Sequence, residues 1–122
     1  MNVAVLGASH KETRYSNKAM KLLKSHGHHI YPVRPKRKEI DGAHVYQTLT
    51  EIKDTIDTIT VYVNAGISSQ LIEDFLSLAP KRVIFNPGAE NDELESALED
   101  KGIHTVRACT LVLLHTGQFE SA

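Results

Sequence analysis

The chain predicts an α/β domain built on a doubly wound, mainly parallel sheet of five or six strands, with helices on both faces. Three observations carry that expectation. Short apolar runs alternate with stretches of helical periodicity, the links between them are short, and strand ends run into turns rich in Gly, Pro or Asn. A strand covered on both faces reads as a nearly continuous apolar run. Val3-Ala4-Val5-Leu6 reads that way.

Taken in order, Asn2–Leu6 is the first predicted strand, and it delivers the chain into Gly7-Ala8-Ser9. The first helix is expected over 16–25, with Ala19, Met20, Leu22 and Leu23 inward and Gly27 just past its end. His29–Val33 is the second strand, limited by Pro32 and Pro35, and it meets the densest charge in the chain: Arg34, Lys36, Arg37 and Lys38. Ile40-Asp41-Gly42 reads as a turn and Val45-Tyr46 as a short extended piece, with Thr48 or Thr50 capping a short helix over 51–54. The third strand is expected over 58–63, breaking at Asn64-Ala65-Gly66. A helix over 68–79 then places Leu71, Ile72, Phe75, Leu76 and Ala79 on one face until Pro80 stops it. The fourth strand, Arg82–Phe85, ends in Asn86-Pro87-Gly88-Ala89. Asp92-x-x-Glu95 resembles a capping box for a helix over 93–101 with Leu94, Ala97 and Leu98 inward. A fifth strand over 104–106 and a last helical turn over 110–114 complete a Rossmann-like plan.

At 122 residues, one domain spanning 1–122 is expected. A formal net charge of −1 gives no broad electrostatic case for nucleic acid. No apolar run approaches the ~20 residues of a membrane span, and the start of the chain does not read as a signal peptide. The single Cys109 has no partner for an internal disulfide, so a reducing, cytoplasmic setting is expected. The seven His include no His-x3-His pair, and no metal site is expected.

In such sheets a ligand lies beyond the carboxyl ends of the strands, near the point where strand order reverses. A strand, a small-residue turn and a helix start also aim backbone N–H groups and a helix dipole at one spot, a ready anion site. Gly7-Ala8-Ser9 followed by Arg14-Tyr15-Ser16 has that form. The dinucleotide pattern G-x-G-x-x-G is absent, since Gly7 stands alone, and the acid expected on a ribose hydroxyl after the second strand is replaced by Arg34 with Lys36 nearby. A basic group there suits an additional phosphate, which leaves an NADP-like or a coenzyme A-like nucleotide.

These residues resemble the small stand-alone CoA-binding domain proteins, relatives of the CoA-binding domain of the succinyl-CoA synthetase α subunit. The resemblance rests on Gly7-Ala8-Ser9, Arg14-Tyr15-Ser16, the run Gly27 to Pro35, Gly42-Ala43-His44-Val45-Tyr46-Gln47-Thr48-Leu49, Asp57, Asn86-Pro87-Gly88-Ala89 and Cys109, across essentially the whole chain. Arg34 departs from the family's usual Asn, and Asn86-Pro87 stands where many members have Gln. The resemblance implies that Gly7, Ala8, Ser9 and Arg14 meet the pyrophosphate, with Ser16 at the same helix start. It further implies Val33, Arg34 and Pro35 on the adenosine side, Lys36 at a 3′-phosphate, and Asn64, Asn86, Pro87 and Gly88 along the pantetheine path.

A ligand of about four negative charges needs concentrated cations, which Arg14 and the 34–38 cluster supply. Ser9 and Ser16 have no evident His–Asp partner. His104 and His115 lie outside the candidate loops and read as structural, and Cys109 reads as a small core residue rather than a partner for the CoA thiol. The expected function is therefore non-catalytic binding of coenzyme A or an acyl-CoA, as a carrier, sensor or regulatory subunit. An NADP-type binding protein or small reductase is the alternative, and a nucleotide-free scaffold a third. A homodimer through an exposed edge strand, or an unidentified protein partner, is a further expectation.

Overall fold

The computed structural model describes Met1–Ala122. Val3, Ala4 and Val5 are fully buried, because β1 (Asn2–Leu6) runs through the middle of the molecule with a helix layer on either side. Alternate residues feed the two layers. Ala4 and Leu6 join Val33, Ile59, Val61, Val83 and Phe85 in the larger core, and Val3 and Val5 join Met20, Leu23, Ile84 and Leu113 in the smaller.

The elements follow as α1 (Tyr15–Ser25), β2 (His29–Val33), β3 (Glu39–Ile40), β4 (Ala43–His44), β5 (Thr58–Val61), α2 (Ala65–Ser68), α3 (Ile72–Leu78), β6 (Arg82–Phe85), α4 (Asp92–Asp100), β7 (His104–Arg107) and α5 (Thr110–His115). Short 3₁₀ turns occupy Leu49–Glu51 and Ser69–Leu71. Five strands form a parallel sheet in the order β2-β1-β5-β6-β7, so the order reverses between β1 and β5. α1 packs beside α5, and α3 beside α4 on the opposite layer. This is the Rossmann-like α/β fold that the sequence predicts.

Several boundaries differ. β5 stops at Val61 rather than at residue 63, because Leu6 of β1 and Phe85 of β6 lie level with Val61 and end the ladder on both sides. The single helix expected over 68–79 is three pieces beginning at Ala65, and Ala79 is an exposed left-handed cap (φ 50°) rather than an inward residue. Asn91, not Asp92, caps α4: its side chain accepts from Leu94 N, while Glu95 reaches back to Asn91 N at 3.0 Å. Thr48 and Thr50 cap no helix over 51–54; their hydroxyls pair with each other beside the 3₁₀ turn.

The Asp41-Gly42 turn closes a small antiparallel hairpin of β3 and β4. Both turn residues have positive φ, 49° and 80°, as a two-residue turn matched to strand twist requires. Tyr46 then caps the free side of β2: Tyr46 N donates to Pro32 O and Arg34 N donates to Tyr46 O, each at 2.9 Å. Proline is tolerated in β2 because its missing N–H faces this outer edge.

Candidate functional site

The sheet's reversal point leaves a gap beyond β1 and β5, and Gly7 is its floor. Gly7 takes φ +90°, and a Cβ there would lie 3.0 Å from Val63 Cγ1 and 3.3 Å from the Tyr62 backbone carbon. Both the backbone angle and the close approach therefore call for glycine.

The amides that the sequence assigns to the anion are already committed. Gly7 N and Ala8 N both donate to Val33 O, at 3.1 and 3.2 Å, which pins the turn to the end of β2. The open donors lie instead at the start of α1. Arg14 occupies the N-cap position and makes no side-chain cap, and no acid stands in the first turn. The helix is held from behind by Asn17, fully buried, whose amide donates to Ser9 O at 2.9 Å and Asp41 Oδ2 at 3.1 Å.

A cleft of about 360 Å³ opens in front of this helix start, within the range of small-molecule sites. Gly7, Ser9, Lys11, Arg14, Tyr15, Ser16, Arg34, Tyr62 and Pro87 line it. Six of these were predicted from the sequence: Gly7, Ser9, Arg14, Ser16, Arg34 and Pro87. Ser9 and Ser16 are buried, while Arg14 is exposed. Arg34 Nη1 lies 3.4 Å from Ala8 O, which holds the guanidinium over the turn.

The other predicted residues are not brought into the lining. Ala8 and Val33 are buried and act through backbone atoms. Pro35 and Lys36 lie exposed on the loop past Arg34, and Gly88 N donates to the Glu90 carboxylate. Asn64 caps α2, accepting from Ile67 N at 3.0 Å. Asn86 is a buried brace: its amide donates to Thr60 Oγ1 and Val61 O, and its Oδ1 accepts from Thr110 N.

Lys11, Tyr15 and Tyr62 are lining residues that sequence reasoning missed. A regional charge count points to Lys11: residues 1–38 hold nine Lys or Arg against one carboxylate, Glu12. Tyr62 gave no signal, being the penultimate residue of an expected strand. Its hydroxyl sits beside those of Thr60 and Thr110 without a hydrogen bond to either, and burial pushes its pKa up to about 12. His10, beside the cleft, is held below its ordinary value by desolvation and then by Arg37, Arg34 and Lys11.

A parallel sheet in the order β2-β1-β5-β6-β7 with helices on both faces, and a cleft lined by Lys11, Arg14 and Arg34 at its switch point, place the chain in the Rossmann-like class of α/β domains. The chain belongs to the CoA binding domain family, whose model matches residues 1–115. It is 31% identical over 103 residues to an acetate–CoA ligase (ADP-forming) of Methanocaldococcus jannaschii, and 33% identical over 72 residues to one of Archaeoglobus fulgidus. Those stretches are 81% and 59% of this chain but only 15% and 10% of the ligases. Among solved structures, an uncharacterized protein matches with TM-score 0.87 at 42% identity, over 97% of both chains. A hypothetical protein from Pyrococcus horikoshii OT3 matches with TM-score 0.87 at 29% identity, over 95% of this chain and 82% of that one. No helix is long and apolar enough to cross a membrane.

Proposed function

We propose that this protein binds coenzyme A or an acyl-CoA in the β1–α1 cleft, as a carrier, sensor or regulatory subunit rather than as a catalyst. The single observation that carries this reading is the open first turn of α1 with Arg14, Lys11 and Arg34 around it, in a chain of the CoA binding domain family. The diphosphate lies against the helix start, where unpartnered N–H groups, the Ser16 hydroxyl and the positive dipole end meet it. Arg14 and Lys11 neutralise it from the solvent side, and Arg34 marks the adenosine end. The pantetheine arm leaves past Tyr62 toward Pro87. The lining is a set that binds and orients an anion: cations, hydroxyls and backbone.

The relatives named as ligases take CoA by name, which supports the choice of ligand. Titration calorimetry with CoA, acetyl-CoA, NAD and NADP tests the reading. Saturable binding of a CoA form is expected, and Arg14→Ala weakens it about tenfold or more, the worth of one charge-assisted contact. Binding of NADP alone, accompanied by nicotinamide turnover, overturns it in favour of a small reductase.

A further inference from the structure

A series of hydrogen bonds runs from the hairpin turn into the cleft, and Asn17 is its middle link. Asn17 is fully buried in the first turn of α1, where its amide donates to Ser9 O at 2.9 Å and to Asp41 Oδ2 at 3.1 Å. Beyond Ser9 the series continues: Lys11 N donates to Ser9 Oγ at 3.1 Å, and Arg14 N donates to Lys11 O at 3.0 Å. Ser9, Lys11 and Arg14 all line the cleft, so the series ends in the cleft wall. Asp41, at its other end, is exposed and lies in the two-residue turn between β3 and β4, outside the lining.

Folding alone does not call for this arrangement. Asn17 Oδ1 is buried without a hydrogen-bond partner, a cost that an apolar side chain of similar size escapes. The turn asks only for residues that accept positive φ, and Asn or Gly meets that need at least as well as Asp41 does. A carboxylate near an anion cleft also opposes the charge of the ligand. We infer that Asp41 is a positioning residue for the cleft: it holds the Asn17 amide on Ser9 O, and so fixes the Ser9–Lys11 turn that carries Lys11 and leads to Arg14. This role rests on the nucleotide reading of the cleft. It makes the hairpin turn a determinant of ligand affinity.

Two substitutions separate position from charge. Asp41→Asn removes the charge, suits the turn and keeps a side-chain oxygen for the Asn17 amide. Asp41→Gly removes the charge and suits the turn, but it has no such oxygen. Loss of the carboxylate by itself tightens the binding of an anion in both variants. Calorimetry with CoA is expected to show Asp41→Asn binding at least as tightly as wild type. Asp41→Gly is expected to bind about three- to tenfold more weakly than Asp41→Asn, the worth of one net hydrogen bond. A role confined to the turn moves Tm and leaves the two affinities equal. Asn17→Ala in each background closes the cycle: with the amide gone, the two Asp41 variants bind alike. The Asp41 pair, altered only at an exposed position, decides the matter should Asn17→Ala fold poorly. Equal CoA affinities for Asp41→Asn and Asp41→Gly, or tighter binding by Asp41→Gly, overturn the positioning role and leave CoA binding standing. The same order of affinities seen with NADP, with no CoA form bound, supports the role and overturns the CoA reading. Binding of neither ligand by wild type overturns both.

Discussion

Gly7→Ala probes the floor of the cleft with two separable costs. A residue with a Cβ at φ +90° is worth roughly 1–2 kcal/mol of strain. The new methyl also sits 3.0 Å from Val63 Cγ1 and 3.3 Å from the Tyr62 carbonyl carbon. Val63 is β-branched and partly buried and Tyr62 presents backbone, so relief requires β1 and the end of β5 to move apart, at about 1–3 kcal/mol. The sum is roughly 2–5 kcal/mol. Gly42→Ala is the control: φ is +80°, but nothing lies within 4 Å of the added Cβ, so only the backbone cost applies. At roughly 4 °C per kcal/mol for a chain of this size, Tm falls by about 8–20 °C for Gly7→Ala and about 4–8 °C for Gly42→Ala. Thermal unfolding followed by circular dichroism measures both, and CoA titration of the folded Gly7→Ala fraction is expected to show weaker binding. A Gly7→Ala variant no less stable than Gly42→Ala refutes the close-approach argument.

Asn86→Ala strands the buried Thr110 amide and removes two further buried hydrogen bonds, to Thr60 Oγ1 and Val61 O, and urea unfolding is expected to show a loss of roughly 2–4 kcal/mol. Tyr62→Phe removes a buried hydroxyl that has no hydrogen bond, so stability is expected to hold or rise by up to ~1 kcal/mol in the same assay. Asp57 is held below the ordinary carboxylate value of 3.8, first by the hydrogen bond from Asn2 N at 2.7 Å and then, against a smaller cost of burial, by Lys81. A depressed folded-state pKa contributes stability that is full above 3.8 and lost as pH falls through the lower folded value. Asp57→Asn is therefore expected to cost about 1 kcal/mol at pH 7 and to converge with wild type in strong acid, as read from urea unfolding across pH.

What was legible in the sequence was whatever a segment decides for itself. β1, β2 and β6 have the predicted limits because each is an apolar run closed by its own turn residues. β5 was misjudged because its end is set by its neighbours: Val63 continues the β-branched pattern, yet no residue of β1 or β6 reaches its level. Asn91 and Asp92 are comparable caps by chemistry. The choice falls to Asn91 because its amide also donates to the Ser68 and Ser69 hydroxyls, partners 22 and more residues away. The hairpin escaped notice because its strands are two residues each, too short to show alternation around Asp41-Gly42. The cationic half of the chain was hidden by averaging, since the acids that bring the total to −1 lie almost wholly after residue 38.

The location of the cleft follows from how the helix starts are treated along this edge of the sheet. α2 has Asn64 on Ile67 N, α4 has Asn91 on Leu94 N, and α5 has Asn86 on Thr110 N. Three asparagines thus supply protein oxygens to three helix starts. α4 adds Asp92, Glu93 and Glu95 in its first turn, so its dipole is met by its own sequence. α1 receives neither treatment: Arg14, a donor, stands where an acceptor belongs, and its first turn carries no acid. A cation at an N-cap raises the positive potential that the other helices suppress, at a cost to the helix that only an external anion offsets. The sequence pattern predicts α1 from Ser16, whereas the structure puts the donor Arg14 at the N-cap. Of the starts of α1, α2, α4 and α5, only that of α1 lacks both a protein acceptor and an acidic first turn, the feature on which the proposed phosphate site rests.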